Sequence, residues 1–235
     1  MQTSTQMCDC NFDFNKVSIV SHSTQQQDNE PQSIIRQVAF VARVSNPSNQ
    51  QNHETDERLI KYLLKNNHWS PFEMVSICLE IQTTRDISRQ ILRHRSFSFQ
   101  EFSQRYAKVE ENKFTVREAR LQDTKNRQNS IPLGKNLPES EELMLWWNTE
   151  QEKIYNNAIN LYKEAIERGI AKEQARCILP EGNTITTLYM SGTLRSWIHY
   201  IMLRSGNGTQ LEHRDVALKC MLEIEKIFPL IKDII

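Results

Sequence analysis

The chain has no apolar run long enough to span a membrane, and its first residues are too polar for a signal peptide. These two absences predict a soluble intracellular, cytoplasmic protein with no membrane partner. The sequence also lacks a positive excess, because 29 basic side chains are balanced by 29 acidic ones. A nucleic acid partner is therefore not expected.

Neither cysteine nor glycine is arranged as in common structural or cofactor motifs. The five cysteines form no recognisable disulfide or zinc framework, and no metal site is expected. Cys8 and Cys10 fall in residues 1–16, which are predicted to be flexible, whereas Cys78 and Cys220 lie in apolar patterns and are expected in the core. The six glycines form no GxGxxG fingerprint and no GxxxxGK[ST] loop, so these motifs predict no dinucleotide or P-loop site.

Apolar periodicity predicts a mixed α+β fold, with residues 1–235 forming a single domain. Strand-like alternation occurs at residues 17–20, 75–81 and 184–190. Helical spacing covers residues 31–45, 59–67, 86–95, 140–168, 194–203 and 209–228. Pro31 is expected in the first turn of the first helix. Residues 108–138 are polar and are predicted to form an excursion or loop.

The most informative segment is residues 93–105, with the sequence RHRSFSFQEFSQR. A helix is predicted to end with Arg89, Arg93 and Arg95, and strand-like spacing to follow with Ser103 and Arg105. Because planar guanidinium groups suit phosphate, the helix end and the strand would form two walls of an anion pocket. Helix-terminal charges on a solvated face are the alternative for any single arginine. The interleaved aromatics could also bind single-stranded nucleic acid, but the neutral total charge favours a mononucleotide.

The same segment is part of a wider resemblance to the flavin-dependent thymidylate synthases, which extends over residues 17–229. The pattern RHR, seven residues, then S-x-R is similar to the signature of that family. With the residues before it (SRQIL, 88–92), the signature is the third of four similar blocks that occur in order along the chain; the others lie at residues 42–45 (ARVS), 68–73 (HWSPFE) and 175–204 (beginning ARCILP). Residues 210–214 (QLEHR) are also similar to the family's C-terminal block. Four blocks in order are a specific signal, whereas one could arise by chance.

The resemblance implies a fold with a central, largely antiparallel sheet and a homotetramer with sites at subunit interfaces. It also implies reductive methylation of dUMP to dTMP in de novo dTMP biosynthesis. The implied carbon donor is methylenetetrahydrofolate, and the implied hydride source is FAD reduced by NADPH. Since no side chain can supply a hydride, a redox cofactor is required for this reaction.

Site residues are carried over by motif position. The residues that the resemblance places at dUMP are Gln90, Ile91, Leu92, Arg93, Glu101, Phe102, Ser103, Gln104, Arg105, Arg176 and Arg204. Those that it places at FAD are Ser45, His68, Ser70, Arg93, His94, Arg95, Glu101, Thr193, Leu194, Arg195 and His199.

Arg204 is the implied catalytic residue, because a cation at the pyrimidine ring stabilises negative charge that develops there. Ser103 lacks an adjacent general base and is interpreted as a phosphate or substrate contact rather than a nucleophile. Cys177 adjoins Arg176 and is interpreted as a packing residue. Two alternatives stay open at this point: a nonenzymatic nucleotide- or RNA-binding module, and a flavoprotein of this fold that acts on another nucleotide.

Overall fold

The computed structural model describes residues 12–24, 26–27, 30–31, 33–110, 113–134 and 137–234. Cys8 and Cys10 lie outside the described residues, as do the first 11 residues of the predicted flexible segment. None of the helices in the described ranges combines the length and the apolar character that crossing a bilayer requires.

The strands form one antiparallel sheet and two short ribbons. They are β1 (Lys16–His22), β2 (Gln26–Gln27), β3 (Glu30–Pro31), β4 (Ser76–Thr84), β5 (Ser98–Glu101), β6 (Arg120–Gln122), β7 (Ser130–Pro132) and β8 (Ile185–Thr193). The central sheet has the order β1-β4-β8-β5, and every neighbouring pair in it is antiparallel. The ribbons pair β2 with β3 and β6 with β7.

The helices are α1 (Ile34–Ala42), α2 (Asp56–Lys65), α3 (Arg85–Ile91), α4 (Pro138–Glu167), α5 (Lys172–Ala175), α6 (Leu194–Arg204) and α7 (Leu211–Glu225). Short 3-10 turns lie at Pro47–Asn49, Ser70–Met74, Arg176–Ile178 and Pro229–Asp233. Helices and an antiparallel sheet together confirm the predicted α+β class. Gly169 has a φ of 87° just after α4, as expected for a C-terminal cap, because glycine adopts this conformation without a Cβ clash.

The main core lies between one face of the sheet and the helices. Ile77, Leu79 and Ile81 alternate along β4 and are fully buried, whereas the residues between them are more exposed. Trp197 of α6 packs in this core and donates its indole hydrogen to the carbonyl oxygen of Ile77 at 3.0 Å. Period-two burial of this kind is the pattern from which β4 was predicted.

The two cysteines predicted to be in the core differ. Cys220 is fully buried in α7, and burial raises the pKa of its thiol. Cys78 lies on the opposite face of β4 from the core residues and is only half-buried, so the expectation for it was wrong. The apolar neighbours of Cys78 in the sequence point to the other side of the strand, because adjacent side chains in a strand face opposite ways.

Gly192 of β8 makes room for the aromatic ring of Phe97, which lies just before β5 within residues 93–105. A Cβ atom at Gly192 would fall 2.7 Å from Cε1 of Phe97 and still closer to Cδ1. The ring of Phe97 packs against Trp197, with centroids 4.8 Å apart. Because Gly192 has no side chain, Phe97 can pack on the core and hold residues 93–105 against it.

Three local predictions were wrong. Pro31 ends β3 rather than opening α1, and the side chain of Ser33 caps that helix by accepting a hydrogen bond from the backbone of Arg36. Helix α3 ends at Ile91, so the last two arginines of the predicted helix lie beyond it. Strand β5 ends at Glu101, and the residues after it form a turn in which the backbone N–H of Arg105 donates to the hydroxyl of Ser103.

The polar excursion at residues 108–138 contains the β6–β7 ribbon and is tied to the rest of the chain at several points. The ring of Phe114 stacks on Tyr155 of α4 with a centroid separation of 4.0 Å. Arg117 donates to Asp86 at 2.7 Å and lies 3.0 Å from the fully buried carboxylate of Glu212. The excursion is thereby anchored to the beginning of both α3 and α7.

Candidate functional site

The candidate site is centred on Arg204, the last residue of α6. Its Nε–H donates a hydrogen bond of 2.9 Å to Nε2 of His94. Burial, followed by the positive charges of Arg204 and Arg93, lowers the pKa of His94 from 6.5 to about 4. His94 is therefore neutral at pH 7 and able to accept this bond. Within the described residues, the two Nη groups of Arg204 make no hydrogen bond or ion pair, so they remain available to a ligand.

A hydrogen-bonded chain lies beside this pair. The ring of Tyr200 packs edge-on against His94, with centroids 4.9 Å apart, and its hydroxyl lies 3.1 Å from Nε2 of His213. Nδ1 of His213 lies 3.3 Å from the amide oxygen of Gln90, whose nitrogen donates to Gln210 at 2.7 Å. This series of hydrogen bonds joins the end of α3 to α6 and α7, so residues far apart in the sequence meet here.

Glu101, at the end of β5, has a carboxylate that is only 12% exposed. It accepts hydrogen bonds from the hydroxyls of Ser88 at 2.9 Å and Thr186 at 3.1 Å, and from the guanidinium of Arg89 at 3.2 Å. Arg85, which is buried, lies 3.6 Å away. A buried carboxylate is costly unless it is bonded in this way, so Glu101 fixes β5 against α3.

Arg105 and Arg176 meet at one acidic residue, Glu173. The guanidinium of Arg105 lies 3.4 Å from the Glu173 carboxylate, and Nε of Arg176 donates to the Glu173 carbonyl oxygen at 3.4 Å. The ion pair is more than half exposed on both sides, and such pairs contribute little stability. A phosphate could therefore replace the carboxylate of Glu173 as the partner of Arg105.

A second polar cluster lies where β8 meets α6. Thr193 caps α6 by accepting a hydrogen bond from the backbone of Ser196, and it donates to Glu73 at 2.7 Å. Arg195 donates to the other oxygen of Glu73 at 2.6 Å. The hydrogen bond from Thr193, with the bond and charge of Arg195, lowers the pKa of Glu73 despite partial burial. Among the described residues, nothing accepts a hydrogen bond from the buried Nε of Arg195.

His199 lies one helical turn after Arg195, with its ring edge-on to Trp69 at a centroid distance of 4.7 Å. Burial, followed by the charge of Arg195, lowers its pKa. His68 is next to Trp69 in the chain, and its ring packs edge-on against Tyr62. Both predicted histidines therefore lie next to Trp69, the residue that precedes the 3-10 turn Ser70–Met74.

The remaining predicted site residues differ in exposure. Exposed side chains, free to meet a ligand, are those of Ser45, His68, Ser70, Arg93, Arg95 and Phe102. The side chains of Ile91, Leu92, Leu194 and Gln104 are buried or pack against the core. Any contact that these four residues make with a ligand would therefore use their backbone atoms.

Three residues of the hydrogen-bonded series beside Arg204 were not predicted as site residues: Tyr200, Gln210 and His213. Gln210 and His213 lie in the block at residues 210–214, whose similarity was noted without assigning roles. In the sequence, His213 is marked by being a histidine close to the apolar positions of a predicted helix. Among the described residues, no group of three His, Cys, Asp or Glu side chains is placed to hold a metal ion.

Comparisons with known sequences give one consistent family. A family model described as thymidylate synthase complementing protein matches residues 26–230. A probable flavin-dependent thymidylate synthase of Paramecium bursaria Chlorella virus 1 is 54% identical over 192 residues, which are 82% of this chain and 86% of that protein. A flavin-dependent thymidylate synthase of Synechocystis is 48% identical over 202 residues, which are 86% of this chain and 89% of that protein.

A solved structure has a similar fold. The UMP/dUMP methylase PolB from Streptomyces cacaoi, bound with 5-Br dUMP, superposes with a TM-score of 0.76 at 25% sequence identity. The match covers 94% of this chain and 93% of that one. The arrangement of helices around the antiparallel sheet is therefore shared over almost the whole chain.

Proposed function

Because this chain belongs to the family of flavin-dependent thymidylate synthases, we propose that it converts dUMP to dTMP by reductive methylation, in de novo dTMP biosynthesis. The chain is accordingly an enzyme of the thymidylate synthase class. The reaction adds a one-carbon unit at C5 of uracil together with two reducing equivalents. We infer that methylenetetrahydrofolate supplies the carbon and that NADPH supplies the electrons through FAD.

The observation that carries this proposal is the way in which Arg204 is held. A neutral His94 binds its Nε and leaves both Nη groups to face a ligand. A cation fixed in this way, with no reorganisation needed, stabilises negative charge that develops on a pyrimidine oxygen as C5 becomes nucleophilic. Arg204 is therefore the proposed catalytic residue, and Gln90 is proposed to contact the same nucleotide.

We assign the nucleotide phosphate to the pair of cations at Glu173. Arg105 and Arg176 come from different elements and each contacts Glu173, one through its carboxylate and one through its backbone carbonyl, and the hydroxyl of Ser103 lies in the same turn as Arg105. Phosphate binding would release Glu173 and engage both guanidinium groups. Glu101 supports this wall, because its hydrogen bonds hold the end of β5 in place just before the turn.

We assign FAD to the second cluster. The donor set there suits a flavin nucleotide. Thr193 and Arg195 are fixed by Glu73, the buried Nε of Arg195 lacks an acceptor among the residues that the structure describes, and exposed Ser70 and His199 lie nearby in the fold. Arg93, Arg95, His68 and Ser45 would extend this contact along the surface. When bound and reduced, FAD would supply the hydride that completes the methyl group.

The described surface residues fit a site completed by further copies of the chain. Arg93, Arg95, Ser45 and Ser70 are exposed although each is assigned to the cofactor. We propose a homotetramer in which these residues meet the ligands of a neighbouring subunit. Size measurement in solution tests this assignment.

The proposed function is tested by an absorbance spectrum followed by turnover. The purified protein, reconstituted with FAD, should show a flavin band that NADPH bleaches, and dUMP should alter the bleaching rate. Incubation with NADPH, methylenetetrahydrofolate and dUMP labelled with tritium at C5 should release tritium and form dTMP. A protein that takes up no FAD after reconstitution would overturn the flavoenzyme proposal.

Arg95→Ala is expected to weaken FAD retention by roughly tenfold or more, because it removes an exposed cation from the proposed cofactor surface. The measurement is a fluorescence titration of the apoprotein with FAD. Arg168→Ala is the matched control, since Arg168 is also exposed and pairs with Glu164, one turn earlier on the surface of α4. Equal affinity in the two variants would remove Arg95 from the cofactor surface.

A further inference from the structure

His213 is fully buried, yet both of its ring nitrogens face hydrogen-bonding groups. Nδ1 lies 3.3 Å from the amide oxygen of Gln90, and Nε2 lies 3.1 Å from the hydroxyl of Tyr200. A polar ring is costly to bury unless its nitrogens are bonded, so these contacts stabilise one placement of the ring. The contact with Gln90 links the ring directly to a side chain that we assign to the nucleotide.

The partners leave only one proton arrangement for His213. Burial, followed by the charges of Arg204 and His94, lowers its pKa to about 3, so the ring is neutral and carries one N–H. The carboxylate of Glu212 can only accept, so its side-chain hydrogen bond with Gln210 uses the nitrogen of that amide and leaves the Gln210 oxygen to accept from the nitrogen of Gln90. The amide oxygen of Gln90 therefore faces Nδ1, which holds the proton. Nε2 then accepts from the hydroxyl of Tyr200, whose pKa burial raises well above its ordinary value, so that it stays protonated.

His213 and Gln210 together hold the Gln90 amide in one orientation. Its oxygen faces the N–H of His213, and its nitrogen donates to the oxygen of Gln210 at 2.7 Å. If the amide were turned over, its N–H would face the N–H of His213 and its oxygen would face the oxygen of Gln210. The contact between the two amide oxygens would be repulsive, and His213 could accept from the turned amide only by moving its proton to Nε2, so the orientation shown is the stable one.

We propose that His213 is a positioning residue for the nucleotide site, which locks the Gln90 amide in one orientation before dUMP binds. The locked amide keeps one N–H and one oxygen lone pair unused, and these are the groups that it presents to the nucleotide. Preorganisation of this kind strengthens binding, because the ligand does not have to order the side chain itself. The proposal rests on the proposed function, through the contact of Gln90 with dUMP.

Two amide substitutions at His213 separate its two bonds. The nitrogen of asparagine reaches the position of Nδ1 and keeps the donor to Gln90, whereas glutamine reaches the position of Nε2 and keeps only the link to Tyr200. We expect His213→Gln to raise the dUMP Kd roughly tenfold and His213→Asn to recover most of that loss. Calorimetry measures this Kd without requiring turnover, and thermal unfolding is recorded in parallel.

A double-substitution cycle completes the test. In a Gln90→Ala background, His213→Gln should raise the dUMP Kd no further, because the residue through which it acts is gone. Full additivity, or equal Kd changes in the asparagine and glutamine variants that follow their thermal stability, would overturn the positioning role. An unchanged Kd in Gln90→Ala itself would also overturn it. Wild-type protein that binds dUMP but forms no dTMP would instead refute the proposed function, while the Kd values of the cycle would still test the positioning role.

Discussion

Arg204→Ala is expected to lower kcat for dTMP formation by a factor of roughly 100 to 1,000 while the protein still binds FAD. The guanidinium is held by His94 through Nε alone, so its Nη groups are the proposed source of charge stabilisation at the pyrimidine. Removing a preorganised donor of this kind affects the transition state more than the bound substrate. Tritium release from labelled dUMP gives kcat, and the flavin spectrum gives the bound cofactor.

Arg204→Lys is the informative comparison. Lysine keeps the charge but lacks the planar fork, one arm of which binds His94 while the others face the ligand. Its activity should lie between those of wild type and Arg204→Ala. Wild-type turnover in the alanine variant would exclude Arg204 from catalysis.

Glu101→Ala is expected to reduce the free energy of unfolding by about 3 kcal/mol, because it leaves buried cationic and hydroxyl groups without their acceptor. Arg85 is buried and would keep only Glu181, 3.6 Å away at the surface. Ser88 and Thr186 would also lose their bonds. Urea unfolding, followed by circular dichroism, measures the change.

Glu164→Ala provides the control for this stability loss. Glu164 is about half exposed and pairs with Arg168 on the surface of α4, so its removal should change stability by less than about 0.5 kcal/mol. Glu101→Gln, which keeps the shape and one acceptor oxygen, should fall between the two. Equal stability of Glu101→Ala and Glu164→Ala would show that Glu101 does not fix β5 against α3.

The fold could be predicted where one face of an element is buried. The strict alternation around Ile77 and Ile81 indicated β4, and the strand pattern before Met190 indicated β8. Prediction failed where residues fit two conformations. Proline suits both the first turn of a helix and an extended segment, and the structure uses Pro31 in the second way.

The candidate site was predictable as a set of residues but not as an arrangement. Motif similarity singled out Gln90, His94 and Arg204 separately. The hydrogen bonds of Arg204 with His94 and of His213 with Gln90 link residues more than 100 positions apart, and no local pattern encodes such contacts. Which nitrogen of His213 carries the proton follows from its partners and therefore required coordinates.

Gly192 has a consequence for how this chain can evolve. Since its backbone needs no unusual angle, what the position rejects is volume: a single added methyl group would collide with the ring of Phe97. Thr193, which is assigned to the cofactor, follows Gly192 in the chain, and Phe97 lies two residues after Arg95. One mutational step to alanine would therefore disturb both halves of the proposed site without touching a functional group. Substitutions that change ligand preference therefore have to keep glycine at position 192.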